Sequence, residues 1–388
     1  MLPFLENSTV QFANVTELTR PTWMEIDLSG LESNYHEIRK RIGKDTKIIS
    51  SIKADAYGHG VVPVAKKLVK LGTDILATGS FNDALCLRNA GIKAKILMFG
   101  GNLPQAASDL LRNDLIPTIY NIESAKAISK VALSPTQVFI KVDSGFGRLG
   151  IPIEEANNFI HSVSQLPSIV IEGIYTHLPF FDKNGRDWAR KHLLEFDKLV
   201  QKLAEENLYI PISQSRNSAC LACGLKDNCT AVSPGHLLYG LSPTNSGLAD
   251  LTDFKPVLSA IKTKLIHIHR HPFDRTIEVG SPYRIEGGTV TGVVPIGLYD
   301  GYRKPIKETS PFMLMRGKRI PVIGVSLEFT TLDLSSVDKP LLGEEIVVLG
   351  KDRNEQISID NIAEWQGGKP LGVLMSFEGR LPIRNHVI

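Results

Sequence analysis

Cysteine is scarce in this chain: Cys86, Cys220, Cys223 and Cys229 are the four in 388 residues. That excludes a disulfide framework and fits a reducing compartment, so a cytoplasmic location is expected. Cys220 and Cys223 form a CxxC with Cys229 nearby. The one near fourth ligand for zinc is His236, and the plainer reading is small buried thiols, with no metal. Charge of one sign is also lacking: 44 Lys and Arg against 41 Asp and Glu leave a net charge of +3. Without a basic field, nucleic acid is not the expected partner. No apolar run reaches the roughly 18 residues that a membrane span requires, so no membrane partner is expected. The opening stretch, MLPFLENSTVQFANVTELTRP, lacks a basic segment followed by an apolar core. Residues 1–20 read as a polar arm rather than a signal peptide.

What is present is alternation. Short β-rich runs at 47–52, 74–78, 94–99, 115–119, 137–142, 170–176, 211–215 and 231–236 are separated by helical patterns. Alternating β and α predicts a parallel sheet, and eight such units predict a closed (β/α)8 barrel over residues 21–250. From residue 251 the text changes to β segments and turns, with one short helical pattern near 358–366. Residues 251–388 are therefore expected to form a mostly β second domain. The fold class is α/β.

In a (β/α)8 barrel, chemistry gathers at the C-terminal strand ends. The residues at those ends are informative here. The first strand runs into SIKADAYGHG, which places Lys53 at its end and Tyr57 four residues on. The fifth runs into KVDSGFGRLG, with Arg148; the sixth ends YTH, with His177. The seventh gives Asn217 and Ser218 in SRNS, and the eighth gives Ser233, Gly235 and His236 in SPGH. Taken singly, each has an ordinary structural reading: a surface charge, a satisfied core histidine, a turn glycine. Together they bring a lysine, an arginine, a histidine and a phosphate-suited Ser/Gly set to one rim. A lysine beside a phosphate cradle points to pyridoxal 5'-phosphate (PLP), whose aldehyde forms an imine with an amine.

These motifs resemble those of the alanine racemase family of fold-type III PLP enzymes. The matching segments also include SFNDALCLRNAGI, IEGIYTHLP, SPGHLLYGLSP and VVPIGLYDGYRK, in the family's order over about residues 23–305, with RLPIR near the C-terminus. The resemblance implies a PLP barrel, a C-terminal β domain and a homodimer whose sites borrow residues from the partner's C-terminal domain. It implies Lys53 as the PLP lysine and a base on one face of Cα. Arg148 would lie near the ring oxygen and the substrate carboxylate, and His177 beside the pyridine ring. Tyr57, Ser218 and Gly235 would hold phosphate. Lys141 matches a lysine that is carbamylated in some relatives.

The departures fall on chemistry. Ser233 stands where the family has an arginine facing the pyridine nitrogen. Val279 stands where it has the tyrosine that serves the second face of Cα. Leu298 and Gly379 replace two further tyrosines, and Glu328 replaces a methionine. The lost rings open volume, which predicts a substrate larger than alanine. Racemisation needs a proton removed on one face and delivered on the other, and a valine transfers none. Glu328 is the candidate substitute base; its simpler reading is a charge partner for a nearby Lys or Arg. The expected catalytic set is Lys53, Arg148, His177 and Glu328. The expected cofactor set is Lys53, Tyr57, His177, Asn217, Ser218, Ser233, Gly235 and His236. The expected function is a racemase or epimerase, with one-base PLP chemistry (decarboxylation, elimination or stereospecific substitution at Cα) as the alternative. A PLP carrier without turnover is a third reading, disfavoured by the long second domain.

Overall fold

The computed structural model describes residues 20–386 apart from 246, 280, 281 and 307. The polar arm expected at the N-terminus thus lies outside the described residues, save Arg20. The chain divides into two compact units: residues 28–257, and strand β1 (Thr22–Asp27) together with the chain from Leu258 on.

The first unit carries β2 (Lys47–Ser51), β3 (Ile75–Thr78), β4 (Ile96–Met98), β5 (Thr118–Ile119), β6 (Thr136–Asp143), β7 (Ile151–Pro152), β8 (Ile169–Tyr175), β9 (Ile212–Asn217) and β10 (Ala231–Ser233). Apart from β7, which pairs with the end of β6, these strands join in the order β4-β3-β2-β10-β9-β8-β6-β5, all parallel. A parallel bridge from Leu97 to Ile116 links the two ends, so the expected eight-stranded barrel is nearly closed. Its interior is filled by Ile49, Ile75, Ala77, Leu97, Ile116, Phe139, Tyr175, Ile212 and Ala231, the layered packing typical of such barrels. The eighth strand, expected over 231–236, ends at Ser233. Pro234 has no N–H to continue the ladder, and the chain turns into a 3-10 segment at His236–Tyr239.

The crossover helices follow their sequence signals. Helix Phe81–Asn89 starts at Ser80, whose hydroxyl accepts from Asp83 N, and helix Ile122–Val131 starts at Asn121, which accepts from Ser124 N. Helix Lys183–Glu205 starts at Asp182, which accepts from Gly185 N, and buries a stripe of Ala189, Leu193, Phe196, Leu199 and Leu203 at helical spacing.

The second unit is mostly β, as expected. It contains β11 (Leu258–Lys264), β12 (His267–Arg270), a hairpin of β13 (Arg275–Glu278) and β14 (Pro282–Ile285), β15 (Val290–Val294), β16 (Phe312–Met315), β17 (Lys318–Val325), β18 (Thr330–Asp333), β19 (Glu345–Asp352), β20 (Glu355–Ile357) and β21 (Ile383–His386). Its main sheet runs β12-β15-β18-β17-β16-β19-β11-β1-β21. Strand β1 is antiparallel to β11 and parallel to β21, so strands from near both ends of the described residues share one sheet. No described helix is long and apolar enough to cross a membrane.

Candidate active site

Lys53 follows β2 directly, and the backbone after it is unusual. Ala54, Asp55, Ala56 and Tyr57 all have φ near +50°, a single left-handed helical turn built without glycine. Each such residue costs roughly 1–3 kcal/mol, so the surroundings must hold the turn. Asp55 does part of this. Its carboxylate accepts from Val61 N at 2.7 Å, and burial holds its pKa above the usual carboxylate range. Four residues make about one turn, so Lys53 and Tyr57 emerge on one side, with Nζ 5.7 Å from the tyrosine ring centre. Tyr57 is backed by Tyr239 at 4.8 Å, which in turn stacks on His59 at 4.7 Å.

Lys53 lines a cavity of about 390 Å³ at the C-terminal ends of the barrel strands. The same cavity is lined by Tyr57, Arg148, His177, Asn217, Ser218, Ser233, Gly235 and His236. Every barrel residue of the expected cofactor set therefore meets at one place. Glu328 belongs to the other unit, in the turn between β17 and β18. Its carboxylate is half exposed and lies 4.0 Å from the Arg20 guanidinium.

The rim after β10 is shaped as a cup. The Ser218 hydroxyl accepts from Gly235 N at 2.9 Å and from Leu237 N at 3.3 Å, which leaves its own proton to donate into the cavity. A Cβ on Gly235 would lie 2.3 Å from the Tyr57 hydroxyl oxygen, so only glycine lets the phenol, the serine and this backbone converge. Asn217 uses both ends of its amide elsewhere. Its Oδ1 caps Ala219 and Cys220 N–H, and its Nδ2 donates to Leu178 O at 2.9 Å. It therefore fixes the backbone that presents Ser218.

The loop after β6 is organised by one carboxylate. Asp143 accepts from the N–H groups of Gly145, Phe146 and Gly147 within 3.1 Å. Gly145 and Gly147 take positive φ to allow this. The turn presents Arg148, whose guanidinium lies 4.6 Å over the Phe146 ring; Phe146 also meets His177 edge-on at 5.7 Å. Burial, then the nearby Lys141, Lys53 and Arg148 cations, push the His177 pKa down to about 3; burial and Lys53 push His236 to about 4. Both rings are neutral at pH 7. Lys141, at the base of this loop, is buried 4.3 Å over the Tyr175 ring, and burial with Arg148 lowers its pKa to about 7.

The fit to PLP can be judged on these groups. The site offers a half-buried amine, a cup of the Tyr57 and Ser218 hydroxyls at a glycine whose Cβ would fill it, and two neutral imidazoles. The Thr176 hydroxyl, buried on the cavity wall, has no hydrogen-bond partner among the described residues. An anionic, ring-bearing aldehyde suits this donor set. A barrel whose rim gathers an amine and a phosphate cup defines a PLP-dependent enzyme of the barrel class.

Comparison with known proteins narrows the class. Residues 26–243 match the family model "Alanine racemase, N-terminal domain" and residues 258–385 match "Alanine racemase, C-terminal domain". The chain is 35% identical over 351 residues to alanine racemase of Halothermothrix orenii, covering 89% of this chain and 92% of that one. It is 30% identical over 370 residues to alanine racemase of Methanococcus maripaludis, covering 94% and 98%. Among solved structures, alanine racemase of Clostridium difficile 630 superposes with a TM-score of 0.86 at 29% identity, over 94% of this chain and 96% of that one. Alanine racemase from Bacillus anthracis with bound L-Ala-P gives 0.84 at 29%, over 95% of each. The chain belongs to the alanine racemase family and uses PLP as its cofactor.

Sequence reasoning missed three features of the site. The left-handed turn carries no local signal, because alanine and tyrosine disfavour it. Phe146, which touches both Arg148 and His177, reads as a loop residue. Asp143 reads only as part of the motif, although its spacing of two to four residues from the glycines is that of an Asx-type turn.

Proposed function

We propose that this protein racemises or epimerises an amino acid larger than alanine. The observation that carries the reading is the convergence of Lys53, Arg148, His177 and the Ser218–Gly235 cup on one cavity. PLP held at this rim would supply the electron withdrawal that acidifies the substrate Cα–H. The chain's residues do the rest. The Lys53 amine takes the proton on one face. Arg148, with no carboxylate partner among the described residues, binds the substrate carboxylate. His177 and His236, held neutral, bring no further positive charge to the cofactor. Tyr57 and Ser218 hold the phosphate with their hydroxyls, and Gly235 leaves the space that lets them converge. Glu328 of a partner subunit in a homodimer exchanges the proton on the second face, in place of the phenol absent at Val279. The smaller side chains at Leu298 and Gly379 favour a substrate bulkier than alanine. A cytoplasmic location follows from the free thiols.

One observation favours a second reading. Val279 packs against Gly324, with its Cβ 2.4 Å from where a Gly324 Cβ would sit, and the valine side chain itself carries no proton-transfer group. One-base chemistry at Cα would follow if nothing replaces it. Incubation with L- and D-amino acids in D2O, monitored by α-proton NMR, separates the two. Deuterium with inversion supports racemisation. Exchange with retention, or release of CO2 or a side-chain fragment, supports the second reading. No exchange with any amino acid defeats both.

A further inference from the structure

In β9 the side chains do not alternate. A regular strand sends neighbouring side chains to opposite faces, so if Gln214 faces the cavity, Arg216 and Ser218 should face it too. Instead the cavity is lined by Gln214, Asn217 and Ser218, and Arg216 is absent from its wall. The pairing with β10 shows why. Ala231 pairs with Gln214 and Ser233 pairs with Asn217, two steps on one strand against three on the other. Ser215 and Arg216 together stand opposite Val232, a β-bulge that adds one residue and shifts the phase.

A single buried carboxylate holds both bulged residues. The Ser215 hydroxyl donates to Asp227 Oδ2, and Arg216 Nε lies 2.7 Å from Asp227 Oδ1 as a charge contact out of hydrogen-bond alignment. The Arg216 side chain is 8% exposed and that of Asp227 is 0% exposed. Two consecutive side chains can reach one carboxylate only where alternation is broken. Gln214 Nε2 donates to Arg216 O at 3.1 Å, which pins the bulge from the cavity side. The Asp227 loop is itself anchored: Asp197 of the helix Lys183–Glu205 accepts from Asn228 N at 3.0 Å. Asp197, Asp227 and Cys229 bring their ligand atoms within 4.8 Å of one another. Arg216 already sits on Asp227 as its countercharge, so this cluster is an ion-paired knot rather than a cation site.

We propose that the buried Arg216–Asp227 pair is a register lock, and that Arg216 and Asp227 are positioning residues for the phosphate cup. They hold the bulge that turns Asn217 to the cavity side, where its amide fixes the backbone presenting Ser218, and that keeps the guanidinium out of the cavity. The inference rests on Ser218 and Gly235 being the phosphate cup.

The test is a PLP titration of cofactor-freed protein, followed by the near-visible absorbance of the bound cofactor. Asp227→Asn keeps the shape of the side chain and removes its charge. The double variant Arg216→Met/Asp227→Leu replaces a buried pair with apolar groups, a change that is often neutral or stabilising for folding. It guards against simple unfolding. Both should weaken PLP binding roughly 10- to 100-fold, the usual effect of removing an outer group that orients a binding residue. Both should regain kcat to within a few-fold at saturating PLP, and Asp227→Glu should recover part of the affinity. If the double variant folds and binds PLP as tightly as the wild type, the lock is wrong. The same holds if melting temperature falls while PLP affinity does not. A Gly235→Ala control separates the premise from the inference. If that change leaves PLP affinity intact, the cup itself is misplaced; if it weakens binding while the lock variants do not, only the lock fails.

Discussion

The two units keep the family's pattern unequally. In the barrel unit, Lys53, Tyr57, Lys141, Arg148, His177, Ser218 and Gly235 match the residue types of the family's motifs, and Ser233 alone of the expected rim set departs from them. In the second unit the positions that matter differ in type: Val279, Leu298, Glu328 and Gly379. On the proposed assignment, the barrel residues for holding PLP and taking one proton keep the family's types, whereas the groups proposed for the second face of Cα do not. The proposed roles in cofactor capture and in stereochemical course can therefore be tested separately.

The comparison breaks most sharply at Lys53. Lys53→Ala should abolish turnover, by roughly 10²–10⁴-fold at least, and remove the near-visible absorbance of bound PLP. Retention of both would overturn the assignment of the whole barrel rim.

The second unit is tested next. Glu328→Gln removes a proton-transfer group while keeping shape. Inversion should fall by roughly 10²–10⁴-fold. Exchange of the α-proton on the Lys53 face should persist. If inversion survives, the carboxylate is the charge partner of Arg20 and nothing more. The converse change, Val279→Tyr, should raise alanine racemisation; no gain would show that the loss of a phenol here does not limit the reaction.

Gly235→Ala probes the barrel side at smaller scale. The added methyl would meet the Tyr57 hydroxyl at 2.3 Å. Overpacking of this kind costs about 1–3 kcal/mol, or roughly 10- to 100-fold in PLP affinity. Adding Tyr57→Phe removes the offending oxygen, so the double variant should bind PLP less weakly than the two single losses multiplied together.

Much of this was legible in the sequence, and the reason is periodicity. All eight barrel strands were marked by short β-rich runs between helical patterns, and most of these runs are apolar because a parallel barrel strand is buried on both sides. The rim residues were legible because the fold puts chemistry at strand ends. What was not legible depends on distant partners. Strand β1 reads as nothing in particular, since its partners in β11 and β21 lie more than 200 residues on. The left-handed turn at 54–57 runs against local preference and exists because the cup and Asp55 hold it. The bulge at Ser215 and Arg216 is set by Asp227, a loop residue eleven positions later with no local mark of its task.

The weakest effect on turnover concerns pH. Burial first, and then Arg148, lower the Lys141 pKa from 10.5 to about 7. Between those two values the unfolded chain carries a proton on Lys141 that the folded chain does not. The unfolded state then binds more protons, so folding stability rises with pH across this window, by at most about 1.4 kcal/mol per pH unit. Below about pH 7 both states are protonated and the penalty is fully present. Lys141→Met removes the penalty. Relative to the wild type it should raise the melting temperature of PLP-free protein most at pH 6.5, and progressively less towards pH 9. His177 shifts in the same sense but lower, to about 3. Its neutral form persists through the working range, so kcat/KM should show no inflection from this ring between pH 5 and 8. A stabilising effect of Lys141→Met that is equal at pH 6.5 and 9 would mean that the gain comes from packing. The lysine would then sit in the barrel floor as an ordinary ammonium, balanced by Asp143 rather than poised near neutrality by burial.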